Sequence, residues 1–409
     1  MPKKIANMLT NKLFVVIMVM FFLYITTYHL GFLDAVNWVQ ANDVYTYLII
    51  SKAAPAFPLE FIPFHFSQRW IPHYIVGLIA KDLYINLDLA YAFFNWLLIF
   101  VILILSHNII MRNACDKWLG TLIFLILSLS TFTFRLYIFA PGLLADLVFV
   151  LGLTLAMKGC LDRRYELIVL GLLIATSGKQ FSLLLLPGFS LYVYSSWIEK
   201  KSRNFTLALV IVLVTIVIIF YMLLTHTALK FALPNRLTPS VLFGFFSWLA
   251  SDRYSSALLF EHILRIILPL FPFIIFITMV PSRPIKELML LNTKESCALL
   301  LIALGPIAYA FFPGPEIQMG NQSRYIGLIL FPVCILTLKI VTNIKFRLYL
   351  LDFIWLLAIL LCLTYHHRYT FLQSVPITTL EAQMIGLLGF LTWLIFRKEV
   401  CIIQLKKHI

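Results

Sequence analysis

LALVIVLVTIVIIFYMLL, residues 207–224, carries no charged side chain and is long enough to cross the hydrocarbon core of a bilayer as one helix. LFVVIMVMFFLYITTYH, residues 13–29, reads the same way. The chain as a whole is 62% hydrophobic and only 12% charged, which places it outside the range of soluble globular domains. No stretch is polar enough to form a separate soluble unit. These features predict an all-α, polytopic membrane helical bundle with one integral-membrane domain over 1–409.

Twelve spans are expected, near 13–29, 88–111, 118–134, 140–157, 166–178, 181–198, 205–224, 262–280, 296–312, 325–341, 348–364 and 382–396. The formal charge of +14 does not indicate nucleic acid, because Lys and Arg punctuate the ends of apolar runs instead of forming a patch. With the N-terminus in the cytoplasm, roughly two-thirds of the Lys and Arg residues fall on the inner side, as the positive-inside rule requires. Both termini are therefore expected in the cytoplasm. Lys3, Lys4 and Lys12 precede the first span without a small-residue cleavage site, so this end reads as an uncleaved anchor. The six cysteines show neither a disulfide framework nor metal-ligand spacing.

This topology leaves two sizeable outer loops, about 30–87 and 225–261, with shorter ones at 313–324 and 365–381. The first is polar and aromatic, holding Asp34, Asp43, Tyr45, Tyr47, Glu60, His65, Arg69 and His73. Two juxtamembrane helices are predicted in it. Asp43–Lys52 has helical periodicity and stops before Pro55 and Pro58. Ile71–Ile85 is apolar but short and contains Lys81 and Asp82; counting it as a crossing would place most basic clusters outside, so it is expected to lie along the interface.

Ionisable groups beside such apolar helices are expensive and usually functional. Asp43 opens its helix, where a carboxylate suits the first turn, and shares a face with Tyr47 four residues on. It reads either as a helix cap or as a base taking the proton of an attacking hydroxyl. Asp34 reads as a boundary residue or as a second carboxylate. Arg69, in FSQRWIPHY, can clamp a phosphate bidentately while Trp70 and Tyr74 anchor at headgroup level. His73 reads as a further phosphate contact or as a structural histidine. Lys179, in ATSGKQFSLLLLP, either snorkels to water from a tight turn or faces a lipid phosphate. Arg324 and Tyr325 end the polar loop PGPEIQMGNQSRY, whose Asn321 and Gln322 suit sugar or phosphate contacts. Asp146 lies within a span and needs a partner, for which Arg135 is the nearest candidate. Arg236, Arg253, Glu261 and Arg265 lie in or beside the second large loop. P-loop, H-E-x-x-H and G-x-S-x-G motifs are absent.

The order of these elements resembles the GT-C superfamily of integral-membrane glycosyltransferases. DVYTY at 43–47 is similar to that family's aspartate–tyrosine element in the first outer loop. QRWIPHYIVGLIAKDL, with Arg69 and Pro72, is similar to its basic and proline-bearing juxtamembrane helix. SGKQFSLLLLP at 177–187 and SRYIGLILFP at 323–332 resemble its later lysine turn and arginine–tyrosine span opening. The chain departs from the pattern in having one aspartate at Asp43 where some branches have an acidic pair, and in lacking a large soluble domain after the spans.

The resemblance implies inverting transfer of a sugar from a polyprenyl-phosphate-linked donor to a hydroxyl of a glycan, lipid or protein acceptor on the extracytoplasmic face. Asp43 would be the general base. Arg69, Lys179 and Arg324 would bind the phosphate, with Tyr47, His73, Tyr325 and Asp34 completing the site. No metal and no other cofactor is implied. Short loops suggest a bacterial inner membrane. A transporter, flippase or repeat-unit polymerase for lipid-linked glycans stays open as a different class; such proteins more often place charge at the bilayer midplane.

Overall fold

The structure, a computed structural model, describes residues 12–27, 29–32, 34, 42–114, 117–198, 201–233, 244–278, 294–315, 321–341, 350–363, 365 and 379–406. Its elements in chain order begin with α1 (Lys12–Thr26), α2 (Asn42–Ala53), β1 (Ile62–Pro63), α3 (Phe64–Ser67) and α4 (Trp70–Asp82). Next come α5 (Leu87–Asn113), α6 (Lys117–Leu129), a π-turn at Thr131–Arg135, α7 (Leu136–Phe139) and α8 (Leu144–Asp162), which is led by a 3-10 turn at Pro141–Leu143. Then follow α9 (Tyr165–Gly178), a 3-10 segment at Gln180–Leu185, α10 (Leu186–Ile198), α11 (Arg203–Ala228), β2 (Ala232–Leu233), α12 (Gly244–Leu249) and α13 (Ser256–Thr278). The chain closes with α14 (Lys294–Phe311), α15 (Gln322–Gly327), α16 (Leu330–Val341), α17 (Leu350–Leu363) and α18 (Thr379–Lys406). The fold is all-α apart from a two-residue parallel pairing of β1 with β2.

Among the described residues, five helical segments are long and apolar enough to cross a membrane: Leu87–Asn113, Pro141–Asp162, Gln180–Ile198, Arg203–Ala228 and Ser256–Phe273. A sixth forms if Leu119–Leu129 and Phe132–Phe139, bent by 45°, are one broken span. Four shorter apolar helices join them, at Lys12–Thr26, Tyr165–Gly178, Glu295–Phe311 and Leu330–Lys339. This architecture is compatible with an integral membrane protein. The segment expected to span at 118–134 is bent where Ser130 leaves helical geometry (ψ 133°) and the ladder loosens to π geometry through Thr131–Arg135. The last helix runs well past the expected 382–396, because helical backbone continues beyond the apolar stretch.

The centre of the bundle is the segment Pro141–Asp162, 78% of whose apolar window is buried, against 17% for Arg203–Ala228 at the periphery. It packs against α9 through glycines. A Cβ at Gly152 would lie 2.2 Å from the Ala175 nitrogen, and one at Gly171 would lie 2.3 Å from the Ala156 nitrogen. Gly159 and Gly178 repeat the contact at either end of the crossing. Small residues let two backbones approach this closely where lipid supplies no hydrophobic drive for association.

Ion pairs distinguish the two ends of the bundle. At one end Asp162 pairs with Arg112 at 2.8 Å and with Lys158, and Glu295 pairs with Lys339 at 2.5 Å. At the other end, the start of α8, the end of α9 and the start of α15 meet through Asp146, Lys179 and Arg324. The two predicted loop helices form as α2 and α4 and pack against each other. There a Cβ at Gly77 would lie 2.0 Å from the Ser51 carbonyl oxygen. A Cβ at Gly142 would strike Val44 and Phe32, so the opening turn of α2 sits on the turn that leads into α8.

Candidate functional site

Asp146 is 1% exposed and lies in the first turn of α8. Its Oδ1 is 2.6 Å from Lys179 Nζ, close enough for a strong ion contact although the angle is poor for a hydrogen bond. Its Oδ2 accepts from Arg324 Nε at 2.6 Å and, more weakly, from the Tyr137 hydroxyl at 3.4 Å. Arg135, the partner expected from the sequence, is elsewhere: its Nη2 lies 3.4 Å from the Thr26 hydroxyl and its guanidinium approaches the Phe22 ring.

Lys179 does not snorkel to water. It is fully buried, and its ammonium lies 5.1 Å from the centre of the Tyr325 ring. Extended backbone at Lys179, between α9 and the 3-10 segment, turns this side chain inward, and the Gly178 contact with Ala145 and Phe149 fixes it opposite Asp146. Tyr325 in turn meets Tyr309 and Phe181 edge-on, forming an aromatic wall beside the cations.

The residues before Arg324 hold it in place. The Ser323 hydroxyl donates to the Arg265 carbonyl at 2.6 Å, and Gln322 Nε2 is 2.9 Å from His262 Nδ1. Both side chains are buried, and Gln322 packs against α13 through His262. Arg265 itself pairs with Glu261 one turn earlier on α13. Arg236, Glu316 and Gly320 lie outside the described residues.

Arg69 comes to the same region from α4. It is 4% exposed, donating from Nη1 to the Tyr47 hydroxyl at 2.9 Å and from Nε to Gln180 Oε1 at 3.1 Å. Both partners are neutral, and among the described residues its other N–H donors have none. Gln180 follows Lys179 directly and also donates to the His65 carbonyl at 2.5 Å. Arg69 and Lys179 are thus tied to one backbone turn. His73 stacks on Tyr47 with ring centres 3.9 Å apart. Burial, reinforced by the Arg69 guanidinium, pushes its imidazole down to about 3, so it is neutral.

Three of the predicted phosphate ligands, Arg69, Lys179 and Arg324, therefore converge with Tyr47, His73 and Tyr325. Asp43 opens α2 one turn before Tyr47; its side chain lies outside the described residues. Asp34 is exposed, unlike the buried cluster. Asp146 is the residue sequence reading undervalued, and its only signal was a lone carboxylate inside an apolar run. No group of three His, Cys, Asp or Glu side chains able to hold a metal ion occurs among the described residues. Comparison with protein families, curated proteins and solved structures found no match for this chain.

Among the described residues, three basic groups, Arg69, Lys179 and Arg324, gather about one carboxylate, Asp146. Removing such charges from water costs several kcal/mol each unless they are paired.

Proposed function

We propose that the chain is a GT-C-type glycosyltransferase that moves a sugar from a polyprenyl phosphate to an acceptor hydroxyl. The observation that carries this reading is the buried convergence of Arg69, Lys179 and Arg324 from three distant parts of the chain, beside the helix that Asp43 opens. Twelve crossings with both termini cytoplasmic, in a bacterial inner membrane, complete the proposed topology and put this end of the bundle outside.

In the reaction the Asp43 carboxylate takes the proton of the acceptor hydroxyl as its oxygen attacks the sugar's anomeric carbon. The bond from that carbon to the phosphate oxygen breaks on the opposite face, inverting the centre. The departing lipid phosphate gains negative charge, approaching about −1.5 to −2 at neutral pH. Cations held beside this growing charge favour the transition state over the ground state in a water-poor site. The Tyr309–Tyr325–Phe181 wall offers an apolar surface to sugar or prenyl chain.

Incubating purified protein with polyprenyl-phosphate sugars and candidate acceptors tests the reading. Asp43→Asn is expected to abolish turnover while leaving donor binding intact. Full turnover in that variant removes Asp43 as the base, and absence of any transfer or donor binding by the wild type removes the glycosyltransferase reading.

A further inference from the structure

The hydroxyls and ring nitrogens behind Tyr47 form a chain whose proton positions can be assigned. Ser51 Oγ lies 2.9 Å from the Tyr47 carbonyl oxygen, which can only accept, so the single hydroxyl proton of Ser51 goes there. Tyr91 Oη is 2.5 Å from Ser51 Oγ and must then donate to it. That spends the one proton of Tyr91, so His73 Nδ1, 2.8 Å from Tyr91 Oη, must be the donor in the last contact. Any other assignment sets lone pair against lone pair in a buried site. A neutral imidazole protonated at Nδ1 carries a bare lone pair at Nε2. In the structure His73 is 0% exposed and Nε2 is buried without a partner.

A buried acceptor with no donor costs about 1–3 kcal/mol. The ring is also fixed on three sides, by Tyr91 at Nδ1, by the stack on Tyr47, and by the close α2–α4 approach at Gly77. The ring lies within electrostatic reach of Arg69, Lys179 and Asp146, and the Tyr47 on which it stacks accepts from Arg69. A bare Nε2 repels phosphate oxygens and attracts a hydroxyl.

We propose that His73 Nε2 is a sugar-recognition site, accepting a hydrogen bond from a hydroxyl of the glycosyl group whose phosphate the neighbouring cations hold. This revises the expectation that His73 touches phosphate, and it rests on the glycosyltransferase reading. His73 becomes a specificity residue for the part of the donor that lipid phosphate alone lacks.

The test uses full-length protein in nanodiscs with 15N-labelled histidine and two probes: a short-chain prenyl phosphate carrying glucose, and the same lipid phosphate without sugar. Phosphorus NMR reports whether each binds. The free protein is expected to show one deprotonated, pH-insensitive Nε2, identified because Tyr91→Phe perturbs it. The glucosylated probe moves that resonance and the sugar-free probe, though bound, does not. His73→Phe, which keeps a ring on Tyr47, lowers affinity for the glucosylated probe about tenfold relative to the sugar-free one. A protonated Nε2 in the free protein, or a bound glucosylated probe that leaves it unmoved, overturns the inference and spares the wider reading. If neither probe binds, the glycosyltransferase reading fails and the hydroxyl site goes with it.

Discussion

At Asp146 a single carboxylate holds two cations from elements far apart in the chain, and its removal separates structural from catalytic roles. Asp146→Asn takes a buried carboxylate away from Lys179 and Arg324, a loss expected to destabilise the protein by about 3–5 kcal/mol. Thermal unfolding in detergent measures this, and an unchanged midpoint contradicts the buried triad. Arg69→Gln behaves differently, because its described partners, Tyr47 and Gln180, are neutral. Folding should survive while kcat/KM falls by about 10²–10³, the size seen when one donor to a developing oxyanion is removed. The basic members of the cluster were legible in the sequence because Lys179 lies between two apolar runs and Arg69 and Arg324 each stand just before an apolar helix. Asp146 was visible as an anomaly, but its partners were not, since Arg324 lies 178 residues away and nothing local announces the contact. Burial of Lys179 was equally hidden: a lysine between two apolar helices looks like a surface turn until the inward-facing backbone is seen.

α8 and α9 carry the site because their glycines bring Asp146 and Lys179 to the same level. Adding one methyl at Gly171, where a Cβ would stand 2.3 Å from the Ala156 nitrogen, must push the two helices apart. Gly171→Ala is expected to cost about 1–3 kcal/mol and to reduce activity beyond its effect on folding, since Lys179 moves with α9. Gly389→Ala is the control, because the nearest atom to its Cβ is a flexible Ile359 side-chain carbon at 3.3 Å. Measured together in one membrane mimetic, equal effects of the two variants contradict the positioning role of the α8–α9 crossing. At this scale α2 was readable from periodicity and from Pro55 and Pro58, and α4 from a short apolar run that contains Lys81 and Asp82. The break at Thr131–Arg135 was not, since TFTFR holds neither proline nor glycine and is apolar enough to pass for span.

Across the whole molecule, alternating helices put the basic cluster at one end and Arg112, Lys158, Asp162, Glu295 and Lys339 at the other. Cysteines placed singly at Leu59, 99% exposed beside β1, and at Arg164, exposed at the opposite end, report sidedness when the native cysteines are replaced. In intact cells a membrane-impermeant maleimide is expected to label Leu59→Cys and to reach Arg164→Cys only after permeabilisation; the reverse pattern puts the cluster on the wrong face. Membrane class was plain from composition, whereas individual crossings were harder to read because several apolar helices are shorter than a bilayer is thick. The most direct test of the assembled site is equilibrium binding of a short-chain prenyl phosphate to wild-type and Arg69→Gln protein in nanodiscs, with the matching prenyl alcohol as competitor. Saturable binding that the alcohol fails to displace, weakened tenfold or more in the variant, is expected. Displacement by the alcohol as readily as by the phosphate, or equal affinity in both proteins, contradicts a phosphate site built on these cations.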